Sequence, residues 1–402
     1  MTALRELHSV SAVLREVRRY LKLPGEVEVP VGGALGLYSA ETVVSTFKLP
    51  PKPKSVVDGY AVRATDVEPA SPSSPVPLKL SGGVLRPTGE APVRLAPGEA
   101  VKIETGALLP EGADAVVPVE DAFEEDGRVY VLRRVAVYEN VSLPGEEYDE
   151  GLVVVRRGER IRPQSIAGLI LEGRETVRVF DATVGILNVG DEIVSGTFFK
   201  PFTHVFVKGW FEQHGFRVQE LSLARDDIGE IAGWLSRSGA YMSVLLGGTS
   251  MGGHDFTVRA VEGLNPEYMV HGFAVQPGKT ACLAVKDGKP IVAMSGLPVA
   301  ALSTLEVVVK PMLRDLGLEV PDYPRVRAVL TRRITVKMGV VGFARVRVYR
   351  CSEGLCAEPL MVGGSGSLTS LLRGNGFVIV PEGVEGYEEG EEVEVHLIRG
   401  VV

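Results

Sequence analysis

The chain has 402 residues, 45% of them hydrophobic and 23% charged, the balance of a globular protein of roughly two to four domains rather than a disordered one. Its net charge of −8 leaves no basic surplus for phosphate backbones, which excludes a general nucleic-acid binder. No run approaches the ~18 consecutive apolar residues that a membrane span requires.

Three cysteines, Cys282, Cys351 and Cys356, are too few for a disulfide scaffold and lack zinc-site spacing. A cytoplasmic location is therefore the expectation, and Cys351 and Cys356 read as two free thiols. Only four Asn and four Gln occur. That depletion points to a hyperthermophile, in which a Cys351–Cys356 disulfide is the alternative.

In the first 23 residues Leu4, Leu7, Val10, Leu14, Val17 and Leu21 are spaced among charges, which predicts an amphipathic helix closed by Pro24-Gly25, not a signal peptide. A strand over 26–31 and a second helix over 35–44 follow. Prolines and lysines between 49 and 54 mark a boundary. From 56 to 137 short alternating runs separated by turn clusters read as β. From 177 to 318 strands at 183–188, 216–221 and 241–246 alternate with helices at 204–214, 227–238, 255–263 and 298–316. This alternation implies a mostly parallel sheet covered on both faces. The last ~80 residues return to β runs, at 327–336 and 344–349, and suggest a small barrel or sandwich.

Ligands of a parallel α/β sheet collect at the carboxyl ends of its strands. Two loops there carry suitable residues: Val189-Gly190-Asp191-Glu192, and the nine residues from Gly247-Gly248-Thr249-Ser250 through Gly252 and His254 to Asp255. Glycines let the backbone approach a ligand, and N–H groups at the next helix can hold phosphate oxygens. The longer loop is neither a Walker A sequence nor a G-x-G-x-x-G, so a phosphate cradle and an ordinary Gly-rich turn both stay open. Glu192, Asp226 and Asp255 each follow a predicted strand and should meet at one sheet edge, where three carboxylates suit a hydrated Mg²⁺. Taken singly, Asp226 and Asp255 also stand where helix N-caps belong. Lys279 is a cation for an oxyanion or a solvated surface residue. His254 reads as structural or superficial. Nucleophilic acyl chemistry has no support, since there is no Gly-x-Ser-x-Gly elbow or Cys/His pair.

Further motifs bring these features together. Asp58-Gly59-Tyr60-Ala61-Val62-Arg63 precedes Glu104-Thr105-Gly106-Ala107 and Gly112-Ala113-Asp114-Ala115-Val116-Val117. Pro277-Gly278-Lys279, Gly364-Ser365-Gly366-Ser367 and Gly374-Asn375-Gly376 follow later. With the two loops above, this order resembles the MoeA/gephyrin-E family of molybdopterin molybdenumtransferases from end to end. The resemblance implies a multi-domain α/β plus β fold in four parts. These are a discontinuous N-terminal helical domain (1–47 with 139–176), an inserted β domain (48–138), a MogA-like three-layer α/β molybdopterin-binding domain (177–318) and a C-terminal β-barrel domain (319–402).

It also implies a homodimer that inserts molybdate or tungstate into the dithiolene of adenylated molybdopterin and releases AMP with Mg²⁺. The adenylyltransferase and recipient apoenzymes are the further partners it suggests. In that reading Gly247, Gly248 and Gly252 cradle the pyrophosphate, Glu192, Asp226 and Asp255 hold the metal and act in catalysis, and Ser250 is a further catalytic residue in the same loop. Lys279, Pro298, Arg345 and Ser365 take the oxyanion side, while Asp58 and Thr105 act across the dimer; tight-turn stabilisation is their other reading. Three sites depart from the family pattern: Gln276, Ser295-Gly296-Leu297 and Pro201-Phe202-Thr203. The alternatives are a non-catalytic molybdopterin carrier or scaffold and a molybdopterin adenylyltransferase. The three acids speak against the first, the extra domains against the second.

Overall fold

The computed structural model describes residues 7–88, 94–196, 201–249, 255–352, 354–360 and 364–401. The chain divides into two compact units, Val43–Val154 and a larger one formed by Met1–Thr42 with Val155–Val402.

The larger unit begins with the helix Val10–Val17, which buries Val10, Val13 and Val17 along one stripe. It is shorter than the expected helix because His8 pairs with Phe273, which keeps the chain extended up to Ser9. Residues 35–44, expected as a helix, are turned and extended instead. Gly36 takes φ +82°, and Tyr38 and Ser39 bridge to Arg160 and Val179. Burying Tyr38 completely outweighs the weak helix propensity of a stretch that follows Gly32 and Gly33. The strand Glu26–Pro30 pairs antiparallel with Thr176–Phe180.

A six-stranded sheet follows. Arg217–Ala224, Thr183–Val189, Met242–Leu246 and Lys289–Met294 lie parallel in that order, and Cys282–Lys286 and Tyr268–His271 continue it antiparallel. Thr183–Val189 is buried throughout. Val184 and Ile186 face one core, Leu187 and Val189 the other, so both faces are covered as the alternation of strand and helix implies.

The helix expected over 298–316 is interrupted. Helical residues Pro298–Thr304 pass into one wide π turn, Leu305–Val309, before Lys310–Asp315. Pro311 has no N–H to donate to Val307, which breaks the regular ladder there. The wide turn carries Glu306, whose carboxylate accepts from Trp210 Nε1 at 2.7 Å and Lys310 Nζ at 3.0 Å in the interior.

In the C-terminal region five strands close into a barrel. Val341–Cys351 pairs with Gly354–Pro359, and the ring continues through Arg325–Leu330, Glu392–Leu397 and Gly376–Val380 back to Val341–Cys351. Fully buried Asn375 ties it together: Oδ1 accepts from the Val348 N–H at 2.7 Å, and Nδ2 donates to Val348 O and Gly400 O. Cys351 and Cys356 are joined in a disulfide, not free. Antiparallel pairing of Val341–Cys351 with Gly354–Pro359 brings them to one hairpin end, a proximity that only the pairing creates.

The smaller unit is built on a six-stranded sheet, ordered Ala115–Pro118, Gly59–Val62, Glu99–Ile103, Val76–Leu80, Arg128–Val131, Ala122–Glu125. Gly59 is obligatory, since a Cβ there would lie 2.0 Å from the Val117 carbonyl oxygen. Asp114 Oδ1 accepts the Ala64 N–H at 2.6 Å. The 58–63 and 112–117 motifs therefore meet as neighbouring strands. Among the described residues no helix is long and apolar enough to cross a membrane.

His214 sits in the interior of the larger unit. Its Nδ1–H donates to the Trp210 carbonyl at 2.7 Å, and burial pushes the imidazole down to about 4. The unfolded chain takes up this proton near pH 6.5, whereas the folded chain refuses it until about pH 4. Stability should therefore fall as pH drops between these values, by about 3 kcal/mol for this group. Urea unfolding at pH 7, 5.5 and 4.5 should show a shallower decline in His214→Phe. An unchanged decline in that variant would contradict the assignment.

Candidate active site

From Thr183–Val189 the chain passes to Arg217–Ala224 on one side and then to Met242–Leu246 on the other. Loops leaving the carboxyl ends of Thr183–Val189 and Met242–Leu246 diverge, and a crevice opens between them. It holds a cavity of about 590 Å³, lined among others by Asn188, Gly190, Glu192, Phe202, Thr203, Asp226, Gly247, Gly248, Gly296, Leu297, Pro298 and Gly366.

Gly247 and Gly248 have φ of +93° and +62°. A Cβ on Gly247 would lie 2.3 Å from Val189 O, and one on Gly248 2.4 Å from Thr257 Oγ1. No other residue fits. Buried Thr257 donates its hydroxyl to Gly247 O at 2.8 Å and its N–H to Gly248 O at 3.2 Å, while the Gly247 N–H donates to Met294 O. Both glycine carbonyls are thus turned inward. Among the described residues no acceptor meets the N–H groups of Gly248 and Thr249, an arrangement suited to an anion. Thr249 Oγ1 lies 3.3 Å from Thr280 Oγ1, which brings the Lys279 turn beside the glycine turn.

The acids divide their work. Asp227, not Asp226, caps the helix Ile228–Arg237, accepting the Glu230 N–H at 2.7 Å. Asp226 is released to line the cavity, where its Oδ2 accepts the Asp191 N–H at 3.3 Å. Glu192, in the first turn of Asp191–Ser195, lines it too, with its carboxylate folded against Gly190. Asp255 stands at the start of Phe256–Glu262 without spending its side chain on a cap, and the adjacent Phe256 lines the cavity. Among the described residues no three His, Cys, Asp or Glu side chains form a group able to hold a metal. Two carboxylates on the cavity wall are nevertheless a donor set that suits Mg²⁺, which keeps waters and takes phosphate oxygens for the rest of its shell.

Arg345, in the barrel strand Val341–Cys351, is buried and donates through Nε to Ser370 Oγ at 3.1 Å. No carboxylate pairs with it among the described residues, and burial pushes its pKa below the ordinary value. Ser365 belongs to the turn Gly364–Gly366, and Gly366 lines the cavity. Lys279 is exposed, with no ion pair among the described residues. Ser250, Gly252 and His254 lie outside the described residues. Asp58 and Thr105 belong to the smaller unit, where Asp58 Oδ1 accepts both the Thr105 N–H, at 2.7 Å, and its hydroxyl, at 2.8 Å. These bonds hold the Asp58 carboxyl below the usual carboxylate range.

Sequence reading passed over Asn188 and His204. Buried Asn188 lines the cavity with its Nδ2 3.3 Å from His204 Nδ1, and burial lowers the pKa of that imidazole, favouring its neutral form. An asparagine inside an otherwise apolar strand, in a chain with four, is the signal that marks it. Thr257 carries no such signal, since its role depends on a contact with the glycines nine and ten residues earlier.

Comparison with known proteins gives matches along nearly the whole chain. Residues 8–173 match the MoeA N-terminal region (domain I and II), 185–315 the "Probable molybdopterin binding domain", and 327–398 the MoeA C-terminal region (domain IV). A Bacillus subtilis protein named molybdopterin molybdenumtransferase is 31% identical over 419 residues, covering 97% of this chain and 94% of that protein. One from Staphylococcus aureus, with the same name, is 27% identical over 397 residues, covering 96% and 94%. The crystal structure of a MoeA protein from Pyrococcus horikoshii superposes with a TM-score of 0.78 at 33% identity, over 98% of this chain and 100% of that one.

Gly248→Ala meets two obstacles, the positive φ and the Thr257 hydroxyl. It should lower the unfolding free energy by about 2 kcal/mol. In a Thr257→Ala background, which already lacks the bond to Gly247 O, adding Gly248→Ala should cost only the backbone part, since the colliding hydroxyl is gone. Denaturant unfolding of the single and double variants reads both contributions.

Proposed function

The chain belongs to the MoeA family of molybdenum cofactor biosynthesis, and from that premise we propose that it is a molybdopterin molybdenumtransferase that inserts molybdate or tungstate into the dithiolene of adenylated molybdopterin and releases AMP. The observation that carries this reading is the shared wall of one cavity, with an inward-turned glycine turn beside two carboxylates that no cation pairs with among the described residues, Glu192 and Asp226.

Each part has a defined task in this reading. The Gly248 and Thr249 N–H groups bind pyrophosphate oxygens and hold the anhydride in one orientation. Glu192 and Asp226 would hold Mg²⁺, whose charge offsets that of the anhydride, while Asp255, at the start of the next helix, would serve in catalysis and not as a third ligand. Asp226 can serve because Asp227 satisfies the helix end. Ser250 would act in catalysis and Gly252 in pyrophosphate binding, as the family motif implies. Molybdate is a tetrahedral dianion with only acceptor oxygens, so it needs donors. Arg345, Lys279 and Ser365 supply them, and Arg345 is the most telling because a buried guanidinium without a carboxylate is an unbalanced charge. Pro298 closes the cavity at the start of its helix. Asp58 and Thr105 act in a homodimer, at the cavity of the other copy, as a rigid pair.

The test is anaerobic AMP release from adenylated molybdopterin with Mg²⁺ and either molybdate or tungstate. Release should depend on the oxyanion and yield metal-loaded cofactor, and the better oxyanion identifies the metal. Asp226→Asn should lower kcat about a hundredfold or more while pterin binding persists. Tight binding of the adenylated pterin without AMP release in the unmodified protein would instead make it a carrier.

A further inference from the structure

A second cavity, of about 400 Å³, shares no lining residue with the first. Its wall includes Arg160, Gln213, His214, Asp322 and Arg399. Three of these are charged, and their states differ. Asp322 is already neutralised, with Arg314 at 3.1 Å and Arg325 at 3.0 Å. Arg160 and Arg399 have no carboxylate partner among the described residues. Arg160 spends Nε on the Gly36 carbonyl at 2.9 Å, and no described residue accepts from its two terminal nitrogens. Its side chain lies where Cβ atoms on Gly36 and Gly215, both at positive φ, would each come within 3.3 Å of it. Arg399 gives one terminal nitrogen to the Leu372 carbonyl and keeps the rest of its fork.

His214 adds a different demand. It is 2% exposed, and its Nδ1 proton is committed to the Trp210 carbonyl. Nε2 therefore carries a lone pair, and no described residue donates to it. Inorganic phosphate at neutral pH can offer a P–OH only from the phosphorus that the guanidiniums hold, whereas an organic phosphate brings a separate hydroxyl to that nitrogen. Two unbalanced guanidiniums match the charge of a phosphate monoester, close to −2 at neutral pH, better than a single carboxylate. The volume falls at the small end of ligand pockets, about 300–1,000 Å³.

We propose that this cavity is a second ligand site, for a small hydroxyl-bearing organic phosphate of sugar-phosphate size, held by Arg160 and Arg399 at its phosphate and by His214 at its hydroxyl.

The probe is ribose 5-phosphate, titrated into the full chain by calorimetry and by tryptophan fluorescence, since the Trp210 ring lies 4.1 Å from the His214 ring. One saturable site is expected, with inorganic phosphate about tenfold weaker and ribose alone weaker still. Arg399→Gln and Arg160→Gln should each weaken the sugar phosphate by about tenfold or more, and Arg160→Lys by less. Arg399 is exposed and makes one backbone contact, so its variant keeps the test open if Arg160→Gln fails to fold. No saturable binding at millimolar ribose 5-phosphate overturns the proposal. So does an affinity unchanged in Arg399→Gln, which would put the ligand elsewhere, or inorganic phosphate binding as tightly as the sugar phosphate.

Discussion

The approach of the Gly247 backbone to the Val189 carbonyl is the constraint on which the site depends. Parallel strands Thr183–Val189 and Met242–Leu246 end side by side, and the loop leaving the second crosses the end of the first with no room for a side chain. Two successive positive φ angles then turn the glycine carbonyls toward Thr257 and away from the cavity. Backbone amides become the polar lining, fixed by bonds to the Met294 carbonyl and the Thr257 hydroxyl. Such a lining is preorganised, so anion binding requires little rearrangement.

Charge is distributed around that turn by a division of labour between neighbours. Asp227 satisfies the helix end and Asp226 faces the cavity, although the two differ by one position in the chain. On the opposite wall Pro298 begins a helix whose middle is anchored by the buried Glu306–Lys310 pair. A buried pair of this kind contributes less to stability than its Coulomb energy suggests, because both ions are desolvated. Its effect here is on geometry. Glu306 also accepts from Trp210, which ties the helix that forms one wall to Thr203–Gln213, whose Thr203 forms another.

How much of this was legible in the chain varies with the range of the interaction. Strands and helices of the α/β region follow from local periodicity, as at Thr183–Val189 and Ile228–Arg237. The carboxylates and glycines are legible because both loops follow recognisable strands. The failures have different causes. Residues 35–44 pair with partners more than a hundred positions away, whereas the π turn has a local origin in Pro311, which the helical period of the apolar residues masks. Asn188 and Thr257 matter through contacts that have no periodic trace. Arg345 was named through the family motif, but its burial without a carboxylate becomes visible only when the barrel closes around it.

Composition and motif order by themselves determined the class of protein, the α/β sheet edge that would carry the chemistry, and the residues able to meet a phosphate or a metal. Those features are local: a glycine's freedom, a carboxylate's charge and a 3.6-residue period are properties of short segments. Tertiary structure alone decided which of two adjacent aspartates lines the cavity, which backbone amides face it, and that Cys351 meets Cys356. It also decided that Arg160, His214 and Arg399 share a second cavity. These depend on contacts between segments far apart in the chain, and burial and pairing acquire values only once the core has closed.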